Sequence, residues 1–188
     1  NLIMKLTLSW LREHLDTDAD IKIIESTLTN IGLEVESIED RTEELKPFTV
    51  AKVINVSKHP DADRLKVCDV ETIKGTFQVV CGAPNVKIGM LGVFASENTY
   101  IPGTKIKLKK SKIRGIESCG MLVSEREMGI SDEHEGIIEI DQKYKIGDLF
   151  SEIYGLNDPV IEINITPNRS DCLSVRGIAR DLSAAGIG

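Results

Sequence analysis

The stretch TVAKVINV, residues 49–56, is a short run in which aliphatic and polar side chains largely alternate. Similar runs follow as far as residue 140: LKVCDVETI (65–73), TFQVVC (76–81), MLGVFAS (90–96), KIKLKKSKI (105–113) and GIIEI (136–140). Period-two alternation between turn-forming residues is typical of half-buried strands, and no helical segment of comparable length interrupts the series. We therefore predict an all-β module that forms a small closed barrel of the OB-fold type, with an SH3-like barrel as the alternative.

The segments on either side of this module have mixed patterns. Leucines and isoleucines recur at helical spacing over residues 8–15 and 21–31, and LEVESIED (33–40) alternates as a strand does. After the module, VIEINITP (160–167) alternates, and residues 171–182 place apolar side chains on one helical face. A single strand and helix do not make a domain, so they should pack against the N-terminal elements. We predict an α+β domain split into residues 1–41 and 152–188, with the OB-fold barrel inserted as residues 42–151.

Charge is distributed unevenly along the chain, whose formal net charge is -7. Residues 1–46 carry 11 acids and 5 bases, residues 47–115 carry 5 and 12, and residues 116–188 carry 14 and 6. The middle segment is therefore basic between two acidic segments. Because local potential governs association, the module is expected to have an anionic partner.

The basic charge is densest in KIKLKKSKIRG, residues 105–115. Alternation predicts a strand that turns its lysines to solvent, and no acid between residues 100 and 116 neutralises them. An edge strand that lysines protect from aggregation is the alternative to a phosphate-binding face. Two cations that follow HPDAD (59–63) should lie near the first loop of the barrel. The residues predicted to contact phosphate are Lys105, Lys107, Lys109, Lys110, Lys112, Arg114, Arg64 and Lys66.

Other chemistries find little support in the sequence. His59, Asp61 and Asp63 are the residues of an ordinary turn, and three neighbouring ligands on one turn do not make a metal site. The four cysteines form no C-x-x-C pair, and phosphate-loop, dinucleotide, nucleophile-elbow and zinc-protease motifs are absent. Near the C-terminus, Arg169, Arg176 and Arg180 are expected to pair with acids rather than with nucleic acid. We predict no catalytic, cofactor-binding or metal residue, and no membrane segment.

Four motifs resemble, in the same order, the tRNA-binding domain shared by several synthetases and by the endothelial monocyte-activating polypeptide family. They are HPDADRLKV (59–67), VVCGAPNV (79–86), KIRGIESCGMLVSEREMGI (112–130) and GIIEI. The flanking motifs LSWLREHL (8–15), NIGLEVESIED (30–40) and IEINITPNRSDCLSVRGIARDL (161–182) resemble the start of bacterial phenylalanyl-tRNA synthetase β subunits.

The resemblance implies a cytoplasmic enzyme of two α and two β subunits that attaches phenylalanine to its tRNA using ATP and magnesium. In that family the aminoacylation site lies in the α subunit, so this chain would be a non-catalytic N-terminal fragment without cofactors. It would bind the tRNA backbone, dock subunits, or do both. Two alternatives are a free-standing tRNA-binding OB protein and a docking module with little tRNA contact.

Overall fold

Two units make up the chain in the computed structural model, which describes residues 2–188. The first comprises residues 2–42 together with Gly155–Gly188, and the second comprises Glu43–Tyr154. No helix within residues 2–188 combines the length and the apolar composition that a membrane crossing requires.

The helices and strands alternate irregularly along the chain. In order they are β1 (Leu2–Thr7), α1 (Leu8–Arg12), α2 (Ile21–Asn30), β2 (Glu34–Glu39), α3 (Thr42–Leu45), β3 (Thr49–His59), β4 (Ala62–Thr72), β5 (Gly75–Cys81), β6 (Leu91–Ala95), β7 (Tyr100–Ile101), β8 (Ile106–Lys107), β9 (Ser111–Ile113), β10 (Ile116–Ser118), β11 (Met121–Leu122), β12 (Glu139–Ile140), α4 (Phe150–Ile153), β13 (Val160–Ile165), the 3-10 helix Pro167–Cys172 and α5 (Val175–Ala184).

The first unit packs helices against a three-stranded antiparallel sheet of order β1-β13-β2. Its core joins Leu11 of α1, Leu28 of α2, Ile163 of β13 and Ile178 of α5, all without solvent exposure. Elements from both ends of the sequence thus share one hydrophobic core, because neither end buries enough apolar surface alone.

Polar side chains fix where the longer helices of this unit begin. The Asp20 carboxylate accepts a hydrogen bond of 2.9 Å from the Ile23 N–H at the start of α2. The Ser174 hydroxyl accepts one of 3.1 Å from the Gly177 N–H at the start of α5. These caps satisfy amide groups that have no partner within the helix. Both helices lie where the apolar periodicity of the sequence predicts them.

The second unit contains a larger antiparallel sheet of order β11-β6-β3-β4-β5, to which β12 adds by pairing with β6. Val53, Val70, Val79 and Phe94 extend from β3, β4, β5 and β6 into its core. Mostly antiparallel sheets with a few helices are therefore the observed architecture of the described chain.

The closed barrel predicted from the sequence is not confirmed, because no ladder of described residues joins β5 to β11. Separate hydrogen bonds connect this edge instead: Cys119 N–H donates to the Gln78 carbonyl at 2.8 Å, and Val80 N–H donates to the Ser118 hydroxyl at 3.1 Å. Gly120, with φ +133°, turns the chain between β10 and β11, so no single strand continues along β5.

The single lysine-rich strand predicted for residues 105–113 is also wrong. The chain forms two hairpins there: β7 pairs with β8, and β9 pairs with β10. Lys105 has φ 57°, in the left-handed region, and residues 108–110 belong to no strand. Ile106, which the alternation assigns to the core, is therefore 62% exposed.

Candidate nucleic-acid interface

The β9–β10 hairpin carries two of the predicted cations close to its turn. Ile113 faces Ile116 across the ladder, so that Arg114 and Gly115 alone form the turn. Their φ angles of 47° and 88° are both positive, as a type I′ turn requires. This turn suits the twist of the hairpin and leaves Lys112 and Arg114 exposed.

A buried histidine fastens this hairpin to the turn between β3 and β4. His59 is only 4% exposed, and its Nδ1 accepts a hydrogen bond of 3.1 Å from the Asp61 N–H. Its Nε2 must then carry the proton and donate to the Ile113 carbonyl, 3.0 Å away. The Arg114 guanidinium also donates to the Asp61 carbonyl at 3.0 Å. We call these three hydrogen bonds the hairpin clasp.

The clasp also accounts for the histidine of the HPDAD motif. Both ring nitrogens of His59 are engaged with backbone groups, so neither offers a lone pair to an ion. Asp61 and Asp63 are exposed at the turn. The motif is therefore a structural turn, as its residue types indicate.

The β7–β8 hairpin holds the cations at the start of the basic segment. The Lys105 N–H donates to the Ile101 carbonyl at 2.8 Å, and the Gly103 N–H donates to the Glu127 carbonyl at 2.8 Å. A Cβ atom on Gly103 would lie 1.8 Å from the Arg126 carbonyl oxygen, so only glycine permits this close approach. The turn that precedes Lys105 is thus fixed against residues 126–127.

Two of the predicted binding residues occur where left-handed backbone disfavours a long side chain. Lys105 has φ 57° and Arg114 has φ 47°, in positions that glycine or asparagine would fill with less strain. Strained residues concentrate at functional sites. Both hairpin turns thus hold a cation in left-handed backbone.

Three of the eight predicted residues have protein partners. Lys66 donates to the carbonyls of Pro84 and Val86, at 3.3 Å and 3.1 Å, and so braces the loop after β5. Arg114 belongs to the clasp. Lys110 forms an ion pair of 3.0 Å with Glu117, which lies just beyond the acid-free window of the sequence.

The pair of Lys110 and Glu117 shifts both pKa values. The hydrogen bond and the charge of the Glu117 carboxylate raise the pKa of Lys110, while Lys110 lowers the pKa of Glu117 by the same two effects. Both side chains are about half exposed, so the pair is well solvated and contributes little to stability. An approaching phosphate would compete with Glu117 for Lys110.

The side chains of the other five predicted residues form no hydrogen bond or ion pair with any residue between 2 and 188. They are Lys105, Lys107, Lys109, Lys112 and Arg64, all exposed. Cations without protein partners exchange their counterions readily for the phosphates of a nucleic acid. We call these five residues the free cations.

In the first unit, two of the three arginines expected to pair with acids do so, whereas Arg176 forms no ion pair within residues 2–188. Arg169 and Arg180 both bind Asp171 and Asp181. Burial opposes ionisation of Asp181, but the two guanidinium groups outweigh it and lower the pKa of its carboxyl. Burial raises the pKa of the neighbouring Cys172 thiol to about 11. Asp171, Cys172 and Asp181 are close enough to share an ion, but a metal would have to displace the guanidinium groups and the thiol proton, so we describe the cluster as an ion-pair network.

Sequence reasoning missed one exposed aromatic residue of this surface. Tyr100 on β7 is 47% exposed, although it lies between two of the alternating runs and nothing in its neighbourhood distinguishes it from a core residue. Its register partner is Lys107.

Comparison with known proteins gives three findings. The profile of a family described as "Putative tRNA binding domain" matches residues 48–149. The chain is 53% identical over 186 residues to a phenylalanine–tRNA ligase beta subunit of Brucella abortus (strain 2308), and 54% identical over 187 residues to one of Mesorhizobium japonicum. Each match covers 98% of this chain and 23% of the relative, so the chain spans about a quarter of their length.

Among solved structures, a MetRS related protein from Pyrococcus horikoshii matches with a TM-score of 0.40 and 19% identity. That match covers 54% of this chain and 86% of the other. The profile match includes more than half of the chain and all the predicted binding residues. The resemblance seen in the sequence is confirmed: the chain belongs to the tRNA-binding domain family through residues 48–149.

Proposed function

We propose that the chain binds tRNA without catalysis, as the N-terminal portion of the β subunit of a phenylalanine–tRNA ligase. The family match supports tRNA as the ligand, and the 53–54% identity to such subunits supports the enzyme. The whole enzyme attaches phenylalanine to its tRNA using ATP and magnesium. Neither is assigned a residue in this chain.

The observation that carries this proposal is the set of free cations. They lie on β4 and in and around two hairpins whose turns hold Lys105 and Arg114 in left-handed backbone. Phosphate contacts supply most of the affinity of a protein that binds nucleic acid without reading its sequence. The surface therefore suits the backbone of tRNA, with Lys110 and Arg114 joining through partners that a phosphate can replace.

We further propose that the second unit is an OB-type barrel inserted in a split α+β domain, with boundaries at residues 1–41, 42–151 and 152–188. The hydrogen bonds between β5 and the β10 segment support this, because they bring the free edges of the sheet together. The partner would be an α subunit in an assembly of two α and two β chains, in the cytoplasm.

The first test compares two variants of equal charge. One replaces Lys105, Lys107, Lys109 and Lys112 with glutamate; the control replaces four exposed lysines elsewhere, Lys22, Lys74, Lys143 and Lys145. Binding to a tRNA transcript is measured by a mobility shift at fixed salt. The first variant should lose about tenfold or more in affinity and the control much less, because the phosphate contacts are local.

Two outcomes would contradict the proposal. Equal losses in both variants would mean that only net charge matters. Unchanged tRNA affinity with failed assembly on the α subunit would mean that the basic hairpins dock a protein instead.

A further inference from the structure

The β7–β8 hairpin presents an aromatic ring to solvent among cations. Tyr100 is 47% exposed and Ile106 is 62% exposed, while Ile101, the register partner of Ile106, is buried. Lys107 lies directly opposite Tyr100 in the antiparallel ladder. Residues opposite one another in such a ladder share a face, so the Tyr100 ring and the Lys107 ammonium project on the same side.

The exposed part of the Tyr100 side chain has no partner among the described residues. Its hydroxyl forms no hydrogen bond with residues 2–188, and its ring stacks on no aromatic neighbour there. A ring that is open on a basic surface is therefore free to contact a ligand.

Backbone hydrogen bonds hold the hairpin in one conformation. The Leu108 N–H donates to the Thr99 carbonyl at 2.7 Å, and the Asn98 N–H donates to the Leu108 carbonyl at 2.8 Å. At the other end, Gly103 is fixed to residue 127 as described above. A ligand that stacks on Tyr100 would therefore not have to order the hairpin, which lowers the entropic cost of binding.

We propose that Tyr100 is a base-stacking residue for an unpaired nucleotide of the tRNA, with Lys107 beside it contacting the adjoining phosphate. This inference rests on the proposed function and deepens it. Stacking needs a base that is outside a duplex, so the hairpin contacts a loop or a single-stranded end. Glu97 is the only acid between residues 72 and 116, so the surface around Tyr100 is basic. Its charge favours an anionic partner such as RNA and disfavours a basic protein.

The test separates the ring from its hydroxyl and from charge. Tyr100→Leu keeps an apolar side chain without the ring, and Tyr100→Phe keeps the ring. Affinities are measured for a tRNA transcript, a 12-nucleotide single-stranded RNA of mixed sequence and a duplex of that RNA. Tyr100→Leu should weaken binding of the first two by about 5- to 150-fold, with little effect on the duplex. Tyr100→Phe should bind like the unaltered chain.

The salt dependence shows which idea fails. Loss of stacking should leave the slope of log affinity against log salt unchanged, because no phosphate contact is removed. If the unaltered chain binds tRNA with a steep slope and Tyr100→Leu binds equally well, this inference is overturned while the proposed function stands. If both Tyr100 variants lose affinity equally, the hydroxyl and not the ring is responsible, and stacking is again excluded. If the unaltered chain binds no RNA, the proposed function itself fails.

Discussion

Replacing His59 with alanine should open the hairpin clasp. The variant loses the hydrogen bond that His59 accepts from Asp61 and the one that it donates to Ile113. Each is worth about 1 kcal/mol net, so local opening should become easier by about 2 kcal/mol, or about 30-fold in the opening constant. The whole fold should persist, because the core of the sheet is made by other residues.

Amide hydrogen exchange in the β9–β10 hairpin, residues 111–118, measures this opening, because His59→Ala leaves the acceptors of that ladder in place. Exchange there should accelerate by up to about 30-fold in His59→Ala. The matched control is His134→Ala, which removes an exposed histidine of the same unit. Unchanged exchange in the hairpin, or equal acceleration in both variants, would refute the clasp. The Arg114 contact alone would then be sufficient to hold the two turns together.

Three further predictions concern single contacts. Gly103→Ala should unfold the β7–β8 turn, because the new Cβ would lie 1.8 Å from the Arg126 carbonyl oxygen. Amides of residues 98–108 should then lose their protection from hydrogen exchange. Retained protection would contradict the prediction. Lys66→Met should lower the free energy of unfolding of the second unit by about 1–3 kcal/mol, because two carbonyls lose a charged donor. The slope of log tRNA affinity against log salt should stay unchanged. If that slope became shallower by about one, Lys66 would instead be a phosphate contact. Because the pKa of Asp181 is lowered in the folded state, its ionised form stabilises the first unit fully above about pH 4 and progressively less as the pH falls below that. Asp181→Asn should therefore make unfolding, monitored by tryptophan fluorescence, less sensitive to acid. An unchanged pH profile would refute the role of the pair with Arg180.

The sequence was sufficient for features that local chemistry determines. Period-two runs predict the strands of the second unit outside residues 105–113, and helical periodicity locates α2 and α5. The density of lysines near residue 110 indicates the basic surface. These signals are local, because both periodicities depend on residues only a few positions apart.

Other features depend on contacts between distant residues and could not be predicted. His59 forms a hydrogen bond with Ile113, which is 54 positions away in the sequence, and no residue of the HPDAD motif indicates that contact. The lysine–isoleucine alternation over residues 105–108 resembles a continuous strand, but the left-handed backbone of Lys105 reverses the chain. The ion pair of Lys110 was missed because Glu117 lies just outside the acid-free window, although it is adjacent in the folded hairpin.

The salt dependence of tRNA affinity tests the central claim most directly, that the free cations bind phosphates. With seven phosphate contacts, from the five free cations together with Lys110 and Arg114, log affinity should fall against log salt with a slope of roughly -5 to -6. Glutamine at Lys105, Lys107, Lys109 and Lys112 leaves Arg64, Lys110 and Arg114, so the slope should flatten to roughly -2 to -3. A slope that is already flat in the unaltered chain, or one that the four substitutions leave steep, would contradict the claim.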